Sequence, residues 1–153
     1  MAESLGIHRA DSAKLQTNPS AILGTNEIAP LTMATAWAGI ANNGKYCESI
    51  VLDHAVGPNG EELPGQPVTC SQTIDPEVAQ AAIYAMKAVM SGGTGSAGNP
   101  GDGIPIFGKT GTTDSSSQTW IVASTSRVAS VAWVGNIVGT YPMRSFPNGA
   151  LYR

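Results

Sequence analysis

Charged side chains are scarce in this sequence. Only 12% of its 153 residues are Asp, Glu, Lys or Arg, which is about half the share found in an ordinary soluble domain. We therefore expect much of the chain to be buried or packed against something. The formal net charge is −3, and a chain without a basic excess gives no reason to expect a nucleic-acid partner.

Long hydrophobic runs and cysteine are also lacking. No apolar stretch of the sequence reaches the roughly 18 residues of a membrane span, and the chain does not open with the basic and then apolar segment of a signal peptide. The two cysteines, Cys47 and Cys70, are too few for a zinc site on their own, but they allow one disulfide. The length suits a single domain with a real core.

Two helices are predicted from apolar periodicity and from end signals. The first spans residues 30–43, with Pro30 at its first position and an Asn-Asn-Gly end; its wide apolar surface predicts burial on most sides. The second begins after Asp75 as N-cap and ends at Gly92. Its expected buried residues form one stripe with two flanking methionines, namely Val78, Ala82, Ala85, Val89, Met86 and Met90.

Strands are predicted in the remaining apolar runs. Residues 50–52 are one candidate, and the Gly-Pro-Asn-Gly sequence at 57–60 predicts a hairpin turn. Residues 104–107 form a short apolar run that predicts a buried strand. Two further strands are expected at 119–125 and 128–135, where Trp120 and Trp133 should pack the sheet.

The most informative stretch follows the apolar run at 104–107. It contains Gly108, Lys109, Thr110, Gly111 and Thr112. The glycines carry no Cβ, so another backbone or a ligand can approach the strand closely. One cation and several hydroxyl groups on such a strand suit an anion, either a carboxylate or a phosphate.

A phosphate-binding loop is one interpretation of this stretch. Residues 103–110 match the pattern G-x-x-x-x-G-K-[ST]. That pattern requires a flexible loop and then a helix, whereas the variable positions here are strand-forming and the residues after Lys109 are poor helix formers. We therefore keep nucleotide binding only as an alternative.

Several segments taken together resemble a known family. They are residues 19–31 with the Ala-rich continuation at 36–44, then Gly-Thr-Gly at 93–95, and finally 108–114 followed by Trp120 and by Ala-Trp-Val-Gly-Asn at 132–136. In order and spacing they resemble the transpeptidase domain of class A, bifunctional penicillin-binding proteins of actinobacterial style. The resemblance covers roughly residues 5–140.

Two motifs of that family do not occur in the sequence. No serine lies three residues before a lysine, so Ser-x-x-Lys is absent from the sequence. No serine lies two residues before an asparagine, so Ser-x-Asn is absent as well. We expect the nucleophile and the middle motif to lie upstream of Met1, with residues 1–153 forming the C-terminal portion of the domain. The alternative is a non-catalytic fragment or interaction module.

The resemblance implies a fold and a reaction. The fold is of mixed α and β type (α+β), an antiparallel sheet with packed helices as in penicillin-binding proteins and serine β-lactamases. The reaction joins peptidoglycan stem peptides ending in D-Ala-D-Ala through a serine acyl-enzyme, and β-lactams imitate that peptide end. The implied partners are the stem peptide, β-lactams and the remainder of the transpeptidase domain; no metal or organic cofactor is implied.

Residue roles follow from the same resemblance. Lys109 would supply positive potential to the substrate carboxylate, and the hydroxyls of Thr110 and Thr112 would bind that carboxylate. The backbone N–H of Thr112 would be one of two oxyanion-hole donors, and Gly111 would let the acyl group lie against the strand. The residues at 113 and 114 we interpret as turn-forming.

The implied location is the extracytoplasmic face of the cell membrane, where disulfides persist. Cys47 and Cys70 bracket a Pro- and Gly-rich segment with little apolar content to hold it. We therefore expect them to form a disulfide, the alternative being two reduced, buried thiols.

Overall fold

A computed structural model of the chain describes residues 1–143. This part of the chain contains two α-helices, seven β-strands and three short 3₁₀ turns. In chain order the helices and strands are α1 (Pro30–Ala41), β1 (Lys45–Cys47), β2 (His54–Val56), β3 (Glu62–Pro64), β4 (Cys70–Gln72), α2 (Pro76–Ser91), β5 (Phe107–Thr112), β6 (Gln118–Ser124) and β7 (Ala129–Gly135).

The strands form three antiparallel sheets. The largest has the order β5-β6-β7, while β1 pairs with β4 and β2 pairs with β3. Helix α2 packs on β5, and α1 packs on β6, β7 and β1. This combination of an antiparallel sheet with packed helices is the α+β architecture that the family resemblance implies.

Both predicted helices are confirmed. Helix α2 begins as expected, because the Asp75 carboxylate accepts a hydrogen bond from the Glu77 backbone N–H at 2.8 Å and Pro76 needs no donor. Helix α1 also has Pro at its start. Its burial is less complete than predicted: only Ala36 and Gly39 are fully buried, and Leu31 is 62% exposed.

The predicted stripe of α2 is correct only in part. Met90 is buried and Ala82, Met86 and Val89 are half-buried, but Val78 and Ala85 are exposed. The helix buries Ala79, Ile83 and Met90, whereas Val78 is 47% exposed. The three buried positions are spaced by four and then seven residues, and each lies one position after a member of the predicted stripe. In an Ala-rich helix two neighbouring faces are nearly equally apolar, so packing against β5 and α1 decides which one is covered.

The predicted strand at 50–52 is also wrong. The Gln66 side chain accepts hydrogen bonds from the backbone N–H groups of Val51 and Leu52, at 2.7 and 3.0 Å. A side chain thereby satisfies donors that a neighbouring strand would otherwise pair. The hairpin is confirmed, since β2 and β3 pair across the Gly-Pro-Asn-Gly turn.

A compact apolar cluster lies beneath α1. It contains Leu5, Ala36, Ile74 and Ala79, with Ile7, Ile40 and Tyr46 packed against it. Leu5 and Ile74 are more than 60 positions apart in the sequence. The cluster therefore joins the N-terminal residues to the segment just before α2. It supports α1 and the start of α2, the helices that hold the large sheet.

Candidate functional site

The Gly-Lys-Thr-Gly-Thr stretch forms strand β5 at one edge of the large sheet. The strand begins at Phe107, which is 5% exposed, whereas Ile104 is 56% exposed and precedes it. The predicted strand at 104–107 is therefore correct only at its last residue. Thr110 is half-buried, and Lys109, Gly111 and Thr112 are exposed.

The free edge of β5 exposes backbone donors. Its one neighbour among residues 1–143 is β6, in a register that pairs Thr112 with Thr119. The Thr113 N–H donates to Gln118 O across that pair of strands at 3.1 Å. Because N–H groups alternate between the two edges of an antiparallel strand, the N–H groups of Thr112 and Thr110 point to the free edge.

Side chains of β5 divide between two faces. A Cβ at Gly108 would lie 2.9 Å from Met90 Sδ, so this position faces α2. Thr110 and Thr112 share that face by alternation, and Lys109 lies on the other. The Lys109 ammonium nevertheless reaches the free edge, where Nζ donates to the carbonyl of Thr110 at 2.7 Å.

Gly111 faces open space. A Cβ placed there would contact only the Trp120 Cβ, at an ordinary 3.6 Å. Packing within the described chain therefore does not require glycine at this position. A ligand lying along the strand would use the space that a side chain would fill.

A second loop reaches the site from the end of α2. The Thr94 and Thr110 hydroxyl oxygens lie 2.6 Å apart, within hydrogen-bonding distance. Sequence reasoning missed this contact, because the Gly-Thr-Gly segment entered only through its resemblance to the family and no role was assigned to Thr94. The two threonines are 16 positions apart, and no periodic signal in the sequence joins them.

The residues that follow β5 form a turn. The Thr113 hydroxyl accepts hydrogen bonds from the backbone N–H groups of Ser117 and Gln118, each at 3.1 Å. The chain then continues into β6 rather than into a helix. A phosphate-binding loop needs a helix N-terminus at this point, so the nucleotide interpretation is wrong.

The two tryptophans pack the sheet, as predicted. Trp120 and Trp133 are direct partners across β6 and β7, with ring centroids 6.4 Å apart and planes tilted by 50°. The Trp133 Nε1–H donates to Gln118 Oε1 at 2.7 Å. Cross-strand aromatic pairs stabilise such sheets, and this pair lies next to Gly111, which is opposite Trp120.

Cys47 and Cys70 are direct partners in the β1–β4 pair. Their Cα atoms lie 4.0 Å apart and the structure joins their sulfur atoms. The segment between them contains the β2–β3 hairpin. A bond here closes a loop that contributes no residue to the apolar cluster beneath α1.

Within the described 143 residues, neither helix combines the length and the apolar character needed to cross a bilayer. The same part of the chain contains no group of three or more His, Cys, Asp or Glu side chains placed to hold a metal ion.

Comparison with known proteins assigns the family. The family model described as the penicillin binding protein transpeptidase domain matches residues 4–141. Penicillin-binding protein 1A of Aquifex aeolicus is 31% identical over 76% of this chain and 16% of its own length. Penicillin-binding protein 1A of Clostridium acetobutylicum is 35% identical over 69% of this chain and 13% of its own. The chain thus spans less than a fifth of these relatives.

Comparison with solved structures supports the same family. The penicillin-binding protein PonA1 of Mycobacterium tuberculosis superposes with a TM-score of 0.82 at 25% identity, over 99% of this chain and 43% of PonA1. PonA1 has also been solved in complex with penicillin V. Both the fold and the resemblance to class A proteins are thereby confirmed, and the chain belongs to the transpeptidase domain family of penicillin-binding proteins.

Proposed function

We propose that this chain is the C-terminal portion of a penicillin-binding D,D-transpeptidase domain and supplies its substrate-binding strand. The domain would cross-link peptidoglycan stem peptides on the extracytoplasmic face of the cell membrane and would be acylated by β-lactams. The observation that carries the proposal is the exposed Lys-Thr-Gly-Thr sequence on a free sheet edge, with the Thr112 N–H directed away from β6.

The reaction requires a serine from outside this sequence, in the Ser-x-x-Lys motif that the chain lacks. Its Oγ would attack the carbonyl of the penultimate D-Ala, break the amide bond and release the terminal D-Ala. An amine of a second stem peptide would then attack the ester, forming the cross-link and freeing the serine.

The residues of β5 would align the donor peptide. The Thr112 N–H would donate to the oxyanion of the tetrahedral intermediate, a contact that is typically worth about 2.7–4 kcal/mol in the transition state. The Thr110 and Thr112 hydroxyls, which share a face, would donate to the terminal carboxylate. The Lys109 ammonium at the strand edge would favour that anion.

A second candidate is a non-catalytic module. The absence of Ser-x-x-Lys and Ser-x-Asn from the sequence favours it. Such a module would still bind a carboxylate-bearing peptide through β5 but would form no acyl-enzyme. Acylation of a longer product, encoded together with the upstream sequence, separates the two candidates.

The test is Lys109→Ala in that longer product. We expect acylation by a fluorescent penicillin to slow by at least about tenfold, because a charge-assisted contact is worth about 1.5–3 kcal/mol, while the melting temperature stays unchanged. Lys87→Ala is the matched control, since Lys87 is exposed on α2. Equal acylation rates for the Lys109→Ala variant and the parent protein would overturn the assignment of β5.

A further inference from the structure

The loop that follows α2 presents one hydroxyl to β5. Gly93 and Gly95 flank Thr94, and each lies against the last turns of the helix. A Cβ at Gly93 would be 2.8 Å from Val89 Cα, and a Cβ at Gly95 would be 2.7 Å from Met90 Sδ. Side chains at either position would push the loop away from the helix, so the two glycines keep it close.

Backbone hydrogen bonds hold this loop in place. The N–H groups of Gly93 and Gly95 donate to the carbonyls of Ala88 and Val89, each at 3.1 Å. Met90, whose side chain packs between the loop and Gly108, is 1% exposed. The position of the Thr94 backbone is therefore tied both to α2 and to the strand.

The Thr94 hydroxyl lies 2.6 Å from that of Thr110. A hydroxyl has one proton to donate and two lone pairs that accept. If Thr110 donates to Thr94, its proton is not available to a ligand. If Thr94 donates to Thr110, the Thr110 proton is free to point at an anion beyond the strand edge, and the two bonds strengthen each other.

We infer that Thr94 is a positioning residue for carboxylate binding: its hydroxyl donates to the Thr110 hydroxyl, holds the Thr110 side chain in one rotamer and leaves the Thr110 proton free to be directed to the ligand. The inference rests on the proposed function, because Thr110 is a ligand-binding group only there. Thr94 itself does not need to touch the ligand.

The experiment uses the full chain and two readouts. Three-bond carbon and nitrogen couplings to the Thr110 methyl group report its rotamer without any ligand. Titration with N-acetyl-D-Ala-D-Ala, followed by NMR shifts along β5, reports binding. Thr94→Val keeps the shape but removes the hydroxyl, and Thr94→Ser restores it.

We expect one Thr110 rotamer in the parent chain and in Thr94→Ser, and averaged rotamers in Thr94→Val. Binding should weaken by about fivefold in Thr94→Val, the loss typical of one hydrogen bond, and by less than about twofold in Thr94→Ser. In a Thr110→Val background, Thr94→Val should weaken binding no further, because the pair is already broken.

Other outcomes are decisive. An unchanged Thr110 rotamer in Thr94→Val, or unchanged binding despite rotamer averaging, overturns the inference. If Thr94→Val does not fold, Thr94→Ala takes its place. The rotamer and binding measurements are then made on Thr94→Ala, alone and combined with Thr110→Val. A parent chain that shows no shift with the peptide counts against the proposed function, and the rotamer readout then decides the positioning inference on its own.

Discussion

Gly108 and Gly111 are three positions apart on β5 and have opposite surroundings. A Cβ at Gly108 would lie 2.6 Å from the Val122 carbonyl oxygen and 2.9 Å from Met90 Sδ, whereas one at Gly111 would meet only Trp120 Cβ at 3.6 Å. We predict that Gly108→Ala lowers the free energy of unfolding by about 1–3 kcal/mol through overpacking. For Gly111→Ala the expected change is below about 0.5 kcal/mol. Denaturant unfolding of both variants measures the difference.

The same pair separates stability from binding. The methyl group of Gly111→Ala would project on the Lys109 face of β5, into the open space that a ligand lying along the strand would use. We therefore expect weaker binding of N-acetyl-D-Ala-D-Ala by a stably folded variant. Gly108 is the matched control within the same strand. If Gly111→Ala unfolded as easily as Gly108→Ala, the space next to Gly111 would not be open and its role as a ligand contact would be lost.

At the residue scale, the sequence located the candidate site but not its geometry. Lys109 and Thr110 stand out because one cation, hydroxyls and glycines are adjacent in the chain. Their division between two faces follows only once the strand is known to begin at Phe107. The contact of Thr94 with Thr110 depends on how α2 packs on β5. This packing cannot be predicted from a local sequence pattern.

At the scale of one element, the start of α2 offers a test of how local sequence sets a helix boundary. The Asp75 carboxylate accepts from the Glu77 N–H at 2.8 Å, and it lies at the positive end of the helix dipole. We predict that Asp75→Ala lowers the free energy of unfolding by about 1 kcal/mol. Asp75→Asn keeps a hydrogen-bond acceptor, so its free energy of unfolding should fall by less. Equal losses in thermal unfolding would mean that the carboxylate's charge, rather than its hydrogen bond, caps the helix.

Elements with strong end signals were predictable, and those defined by packing were not. Pro30, Asp75 and the hairpin turn act through local backbone chemistry, so the elements next to them appear where the sequence predicts. The buried face of α2 differs in part from the prediction because two of its faces are similarly apolar, and packing against β5 and α1 covers only one. Residues 50–52 are not a strand because Gln66, about 15 positions away, binds their N–H groups.

At the scale of the whole molecule, the Cys47–Cys70 pair constrains the segment that has the least core. The residues between them contribute no member to the buried cluster, and the structure joins their sulfur atoms. We predict that Cys47→Ser with Cys70→Ser lowers the free energy of unfolding by about 3 kcal/mol, the chain-entropy value for a loop of this length. Unfolding with and without reductant measures it. Two free thiols titrated in unreduced, denatured protein, after preparation in an oxidising compartment, would contradict the disulfide.

Much apolar surface of the described residues is exposed. Ile22 and Leu23 are each 89% exposed and Leu31 is 62% exposed, all within or just before α1. The buried Trp37 Nε1 has no hydrogen-bond partner among residues 1–143. Buried donors normally have partners, and the exposed apolar side chains offer area for contact with another part of a larger protein. Under the proposed function, the rest of the transpeptidase domain covers this surface.

The proposed function makes its strongest prediction about what this chain cannot do alone. Acylation requires an activated serine, and none of the serines here precedes a lysine at three residues. Intact-mass spectrometry after treatment with penicillin should therefore show no covalent adduct on this chain, whereas the product extended by its upstream sequence should gain one adduct per molecule. Heat-denatured extended product is the control for non-specific acylation. A stoichiometric adduct on any serine of the isolated chain would overturn the proposal that the nucleophile lies outside residues 1–153.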